Sequence, residues 1–264
     1  MTASPGPESS SVTAASPGAV HFIADAHLGI ESESREEAKV RDLVSLLSYL
    51  EGRSSVLYLV GDLFDFWFEY PWAKPAEHAE VTTALRKLAN SGTRLEFIGG
   101  NHDYWAGREL ERLTGATVHR TPLDVSHFGK RVFVAHGDGL PEGDTKYKML
   151  KAVLRSPVAI AAFTLIPPRL GTRIGRWASN LSEITEERIA RAIPAMTEFL
   201  NGRLSDGYDV AVVGHIHKQM MWEAGGGTAV VVGDWMLHRS VVEMTESGVR
   251  PLTWSNGSLV ESET

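Results

Sequence analysis

The sequence contains no cysteine. Disulfides, thiolate metal sites and cysteine nucleophiles are thereby excluded, in keeping with a reducing compartment. It also lacks an apolar run of the length a membrane-spanning helix needs, about eighteen residues. The best candidate, Val158 to Pro168, is shorter and carries Pro167 and Pro168. Nor is there a basic surplus: 26 Lys and Arg stand against 33 Asp and Glu, a net charge of −7. That balance argues against a surface that tracks nucleic acid through its phosphates. Residues 1–18 show neither the basic start nor the apolar stretch of a signal peptide, and their Ser, Pro, Ala and Gly read as a flexible tail. What is present is ordinary for a globular chain: 264 residues, 43% apolar, enough for two domains or for one large α/β domain with an insertion.

Short apolar runs at Val20–Ala24, Val56–Val60, Leu95–Ile98, Val132–Ala135 and Val210–Val213 predict buried strands. Val40, Leu43, Val44, Leu47 and Leu50 recur at helical spacing after the first run, and a second helix is expected over Ala76 to Ala89. Each of the five strands ends in a polar cluster containing Asp25 and His27, Asp62 and Asp65, Asn101 to Asp103, His136 and Asp138, or His215 and His217. Loops at the C-terminal ends of buried strands bring side chains from distant parts of a chain together, so these clusters are expected to converge on one site. Gly61, Gly100, Gly137 and Gly214 read as turns that leave room for metals. Gly227–Val232 and Ser240–Met244 read as closing strands, Pro251 onward as a trailing end, and residues 256–264 as flexible. The predicted domain is therefore 19–255.

Over about 144–202 the strand succession stops and the pattern becomes helical, with Pro194 expected to kink or break a helix. Between Thr145 and Arg176 stand Lys146, Lys148, Lys151, Arg155, Arg169, Arg173 and Arg176, seven basic residues with no acid among them. Together with the apolar run Val158–Ile166 they suit a surface that meets lipid tails and anionic headgroups. The alternative is a cap packed on the body with solvated cations. The aromatics Phe64, Phe66, Trp67, Phe68, Tyr70 and Trp72 leave the same choice, a base or acyl chain on one hand and core packing on the other.

The donors at the strand ends are nitrogen and oxygen, a set suited to Mn, Fe or Zn, and too numerous for one ion. Two metals are the economical reading. Five of the ten histidines lie in these motifs, while His21, His78, His119, His127 and His238 lie outside them and read as structural.

In order, Asp25-x-His27, Gly61-Asp62-x-x-Asp65, Gly100-Asn101-His102-Asp103, His136 and Gly214-His215-x-His217 resemble the five blocks of the calcineurin-like metallophosphoesterase superfamily. The resemblance implies an α/β fold, an αββα sandwich of two packed mixed sheets flanked by helices, with residues 144–202 as a helical cap. It implies Asp25, His27 and His217 on one metal, Asn101, His136 and His215 on the other, and Asp62 bridging both. Ions about 3.5–4 Å apart would serve hydrolysis of a phosphoester or phosphoanhydride. His102 would stand beside the metals to stabilise phosphoryl oxygens or protonate the leaving oxygen. Asp103 would orient His102, and Asp65 would hold a ligand histidine in its tautomer.

Within that superfamily the stretch Leu57 to Trp67, the insertion after His136 and Gly233-Asp234-Trp235 are similar to the UDP-2,3-diacylglucosamine pyrophosphohydrolases of lipid A biosynthesis. The similarity implies cleavage of a UDP-linked lipid to UMP and a diacylated sugar phosphate, with manganese as the metal and iron or zinc as alternatives. It also implies a cytoplasmic protein, peripheral on the anionic inner face of the inner membrane, with no nucleic-acid partner. Asp138, Asp144 and Tyr147 follow His136 closely enough to contact substrate, and Asn180 and Ser182 would reach it from the insertion. One departure stands out: many members of the lipid family carry Arg after the Asn of the third block, where this chain has His102, and an arginine fork grips phosphate as imidazole cannot. The alternative is a broad-specificity phosphodiesterase or nucleotide phosphatase with a soluble substrate. A scaffold that lost catalysis would show missing ligands, and none is missing.

Overall fold

The computed structural model describes residues 12–13, 18–73, 78–139, 149, 152–153, 155–180 and 186–262. Its strands are β1 (Val12–Thr13), β2 (Ala19–Ile23), β3 (Ser54–Leu59), β4 (Arg94–Ile98), β5 (Thr117–His119), β6 (Leu123–His127), β7 (Lys130–Ala135), β8 (Val210–Val213), β9 (Met220–Ala224), β10 (Gly227–Val231), β11 (Ser240–Thr245), β12 (Gly248–Ser255) and β13 (Ser258–Glu261). The helices are α1 (Glu33–Leu50), α2 (Ala79–Asn90), α3 (Arg108–Thr114), α4 (Pro157–Phe163), α5 (Pro168–Asn180) and α6 (Glu186–Ser205).

Among the described residues one sheet runs β1-β13-β12-β11-β2-β3-β4-β5 and the other β6-β7-β8-β10-β9. Strands β2 to β5 are parallel, as are β7, β8 and β10, while β11 pairs antiparallel with β2. Parallel neighbours need crossover connections, which α1, α2 and α3 supply on the outer face of the first sheet. Val20, Phe22, Val56, Tyr58, Val132, Val134, Val210 and Val212 meet between the sheets. Residues of opposite parity face outward: Ile23, Leu57 and Leu59 pack under α1 and α2, and Ala211 and Val213 under Met196, Leu200 and Leu204 of α6. Strands covered on both faces read as unbroken apolar runs rather than alternating ones, which is why they stood out in the sequence. The result is the predicted helix, sheet, sheet, helix sandwich.

The chain end differs from expectation. Residues 256–264 were expected to be flexible, yet β13 pairs with β12 across the two-residue turn Asn256-Gly257, whose φ values are 50° and 81°. Two left-handed residues between paired strands match the twist of a hairpin, and Asn-Gly is the pair best suited to them. Leu252 and Leu259 are fully buried there, so the packed core takes in this hairpin. Pro251 lies inside β12, opposite Val242, although proline gives up a ladder donor. At the other end, Val12 and Thr13 of the expected tail pair with β13.

Pro194 likewise does not break its helix: α6 is continuous from Glu186 to Ser205. Proline removes one helical hydrogen bond, and burial of Met196, Leu200 and Leu204 against the second sheet offsets it. The second half of α6 thus packs on the second sheet. The described helices α4 and α5 of the insertion dock on the aromatic segment after β3. Phe64 and Trp67 are core, with rings 4.4 Å apart, whereas Phe68 meets Phe163 of α4 at 4.7 Å. Gly175 of α5 lies so close to the Phe66 ring that a Cβ there would overlap it.

Candidate metal centre

The C-terminal ends of β2, β3, β4, β7 and β8 meet at one edge of the sandwich, and the polar clusters converge there. Asp25, His27, Asp62, His215 and His217 all have left-handed backbones, with φ of 52°, 42°, 51°, 73° and 53°. Each such non-glycine residue costs about 1–3 kcal/mol, and strain of this kind collects at functional sites. The turns persist because their amides are held: Asp25 N donates to Gly61 O at 3.1 Å, His27 N to Asp62 O at 2.9 Å, and His215 N to Asp25 Oδ2 at 2.8 Å. Glycine is required where these loops touch. A Cβ on Gly61, whose φ is +83°, would overlap the His136 ring, and one on Gly100 would overlap the Asp62 carboxylate. The room left by these two glycines is therefore filled by ligand side chains.

Three groups of potential ligand atoms form among the described residues, the atoms of each within 4.8 Å of one another: Asp25, His27 and His217; Asp62, His136 and His215; and His27, Asp65 and His102, in which Asp65 backs two histidines. The first two are the ligand groups that the metal reading needs. Nε2 of His27 and of His217 face each other at 3.2 Å, and His217 Nε2 is 3.4 Å from Asp25 Oδ1. In the second group His136 Nε2 is 3.2 Å from both Asp62 Oδ2 and Asn101 Oδ1. Asp62 Oδ2 also lies 3.8 Å from His27 Nε2, so one oxygen faces both groups, while Oδ1 accepts from the His102 amide at 2.8 Å. His136 Nδ1 is bonded to Val60 O at 2.9 Å, which leaves its Nε2 lone pair turned inward. Asp25 Oδ1 is buried without a hydrogen-bond partner among the described residues. Convergent imidazole nitrogens and carboxylate oxygens, with an orphaned oxygen among them, fit a pair of divalent cations.

The electrostatics agree. Burial pulls His136 down, but the charge of Asp62 overrides it and pushes its pKa up to about 10. His102 is likewise pulled down by burial and driven up to about 9 by Asp62 and Asp65. Burial and repulsion from His136 push His215 down to about 4. Asp103 is raised to about 7 by burial and by Asp62. The carboxylates thus demand positive charge where the ring nitrogens converge, and a metal binding there must displace protons.

Asp65 sits behind two histidines, its Oδ1 3.8 Å from His27 Nδ1 and 3.4 Å from His102 Nδ1, and its carbonyl 3.0 Å from the same His102 nitrogen. Asp103 was expected to orient His102 and does not. Its carboxylate accepts from the amides of Leu63 and Gly100 at 2.8 Å each, and of Asp62 and Phe64 at 3.3 Å each. A buried acid surrounded by main-chain donors ties the β3 and β4 loops together, while the His102 ring contacts Asp65. Asp138 is buried and paired with Arg155 at 3.1 Å. Asp144, Tyr147 and Ser182 lie outside the described residues, and Asn180 is described only as the last residue of α5.

Two contributors went unnoticed in the sequence. Lys39 Nζ, fully buried, donates to His27 O at 2.9 Å and pairs with Glu36 at 3.0 Å. Glu36 in turn accepts from the Gly29 amide at 2.8 Å. The signal was there: the buried stripe Leu43, Leu46, Leu47 and Leu50 of α1, continued back by four residues, falls on Lys39.

The sequence profile of the calcineurin-like phosphoesterases matches residues 19–219. A UDP-2,3-diacylglucosamine hydrolase of Ectopseudomonas mendocina is 30% identical over 220 residues, covering 81% of this chain and 89% of that protein. One from Neisseria meningitidis is 27% identical over 221 residues, covering 81% and 89%. Among solved structures, the phosphoesterase Yfce of E. coli overlays with a TM-score of 0.46 at 14% identity, covering 91% of this chain and 96% of that one.

Proposed function

Because this chain belongs to the calcineurin-like phosphoesterase family, we propose that it is a two-metal hydrolase of the pyrophosphate bond of UDP-2,3-diacylglucosamine, releasing UMP and a diacylglucosamine 1-phosphate. The observation that carries the reaction class is the pair of buried ligand groups with Asp62 Oδ2 facing both. The substrate rests on likeness to hydrolases of that name at 27–30% identity.

In this reading Asp25, His27 and His217 hold one ion and Asn101, His136 and His215 the other, with Asp62 between them. Such ions, manganese by preference, supply Lewis acidity toward phosphoryl oxygens and acidify water. The protein does the remaining work. Asp65 holds the His102 ring through Nδ1, which orients the imidazole to act on a phosphoryl or leaving oxygen. The His102 ring stands edge-on to His27, centroids 4.6 Å apart, which places it beside the ligands. Asp103 and Lys39 hold the loops from which the ligands project.

The insertion supplies the lipid side. Val158 and Leu165 are 79% and 84% exposed, on the same segment as Arg169 and Arg173, so apolar and cationic groups face outward together. That combination suits docking on an anionic lipid surface without spanning it, and no helix among the described residues is long and apolar enough to cross a membrane.

The test is manganese-dependent release of UMP from UDP-2,3-diacylglucosamine, run beside bis(p-nitrophenyl) phosphate and a nucleotide panel. Selective UMP release supports the reading. A second reading, a phosphodiesterase of soluble substrates, is favoured by His102 at the position where many of the lipid enzymes carry arginine, and turnover of the diester alone would establish it.

A further inference from the structure

Among the described residues, Arg155 is the cation of the insertion whose side chain bonds to the ligand-bearing loops. Its Nη2 donates to Gly100 O at 3.0 Å and to Asp138 Oδ2 at 3.1 Å. Its guanidinium lies 3.7 Å from the centroid of the Tyr104 ring, which fixes the plane of the fork. Both anchors flank the second ligand group. Gly100 precedes Asn101 and abuts the Asp62 carboxylate, and Asp138 follows His136 by two residues. The side chain is 18% exposed, so the guanidinium stands at the rim of the site with one side toward solvent. Its bonds to described residues are made through Nη2, which leaves the donors on Nη1 and Nε for an incoming oxygen.

A phosphoanhydride differs from a simple diester in carrying a second charged phosphoryl group. The ligand groups converge on the phosphorus under attack, and its neighbour needs a cation just beyond them. We propose that Arg155 binds this second phosphoryl group and so selects diphosphate-linked substrates over esters with a single phosphorus. The inference rests on the phosphoester-hydrolase reading and adds a specificity-determining residue to it. Charge-assisted bonds from guanidinium to phosphate are strong and directional, and a lysine would keep the charge while losing the fork. The pairing with Asp138 holds the guanidinium ready, at the mouth of the site.

The test uses the full chain as wild type, Arg155→Ala and Arg155→Lys. For each, kcat and KM are measured on UDP-2,3-diacylglucosamine and on bis(p-nitrophenyl) phosphate, with melting temperatures alongside. Calorimetric affinity for the α,β-methylene analogue of UDP, which carries both phosphoryl groups on a bridge that is not cleaved, gives a readout independent of turnover. Arg155→Ala is expected to lower the ratio of kcat/KM for the UDP lipid over the diester tenfold or more, chiefly through KM, and to weaken the analogue by a similar factor, with Arg155→Lys between. A parallel loss on both substrates, or an unchanged ratio and affinity, overturns the proposal and leaves Arg155 as a tie between cap and body. If Arg155→Ala melts well below the wild type, Arg155→Lys carries the same comparison. A wild type inactive on both substrates overturns the phosphoester reading itself, and this inference with it.

Discussion

Replacing Asp103 separates two accounts of the site. Asp103→Asn keeps the shape of the side chain but turns an amide NH2 toward main-chain donors that a carboxylate oxygen had accepted. Whichever way it lies, two buried amides lose their partner: Gly100 with Asp62 on one side, or Leu63 with Phe64 on the other, each pair containing one 2.8 Å bond and one 3.3 Å bond. A buried donor left unsatisfied costs about 1–3 kcal/mol. Relief of the burial strain that raises Asp103 to about 7 offsets part of this. The net loss is expected at about 2–4 kcal/mol, and at roughly 2–4 °C per kcal/mol for a domain of this size it lowers Tm by on the order of 5–15 °C. The assay is thermal unfolding at pH 8, repeated in a His102→Ala background. The bond from His102 to Asp62 is made by its backbone and survives that change, so the loss should persist within about 0.5 kcal/mol. If instead it disappears in the His102→Ala background, Asp103 acts through the imidazole and the loop assignment is wrong.

Further outcomes follow from neighbouring contacts. Lys39→Met leaves the His27 carbonyl without its donor, and manganese affinity should fall about tenfold by calorimetry, as for other supports of metal ligands; an unchanged affinity would refute a supporting role. Metal-depleted protein should lose stability as pH rises from about 6.5 to 10. His102 and His136 have folded pKa values near 9 and 10, above the usual histidine value, so their contribution is complete below about 6.5 and lost through the folded values. His136 faces Asp62, Asp25 and Asp138, and the contribution of Asp103 is already lost by about pH 7, so chelator-treated protein whose Tm rises across this range would contradict the assigned surroundings. Gly175→Ala forces the Phe66 ring aside at about 1–3 kcal/mol. It should therefore raise KM for the UDP lipid more than for bis(p-nitrophenyl) phosphate, and equal effects would remove the cap from substrate binding.

The sandwich and the ligand clusters were legible because the same physical feature marks both. Strands such as Val210–Val213 are covered on two faces and stay apolar throughout, so the polar residues at their ends stand out against them. Edge strands β6 and β9 bury alternate residues only partly and left a weaker trace. The final hairpin was missed although Asn256-Gly257 signalled it, because Pro251 had suggested an end to regular structure. Histidine partners proved harder to read than ligands. The family resemblance implied Asp103 for His102, whereas the turn after Asn101 sends that carboxylate back to the β3 loop and Asp65 meets the His102 ring. Arg155 was one of seven cations between Thr145 and Arg176, and only folding picks it out.

The most direct test of the central claim is a manganese titration of chelator-treated protein, following UMP release from UDP-2,3-diacylglucosamine against ions bound per chain, with Asp62→Ala alongside. The account predicts no turnover without metal, recovery as the second ion binds, and none in a folded Asp62→Ala protein. Full turnover after chelation, or in folded Asp62→Ala, would contradict it.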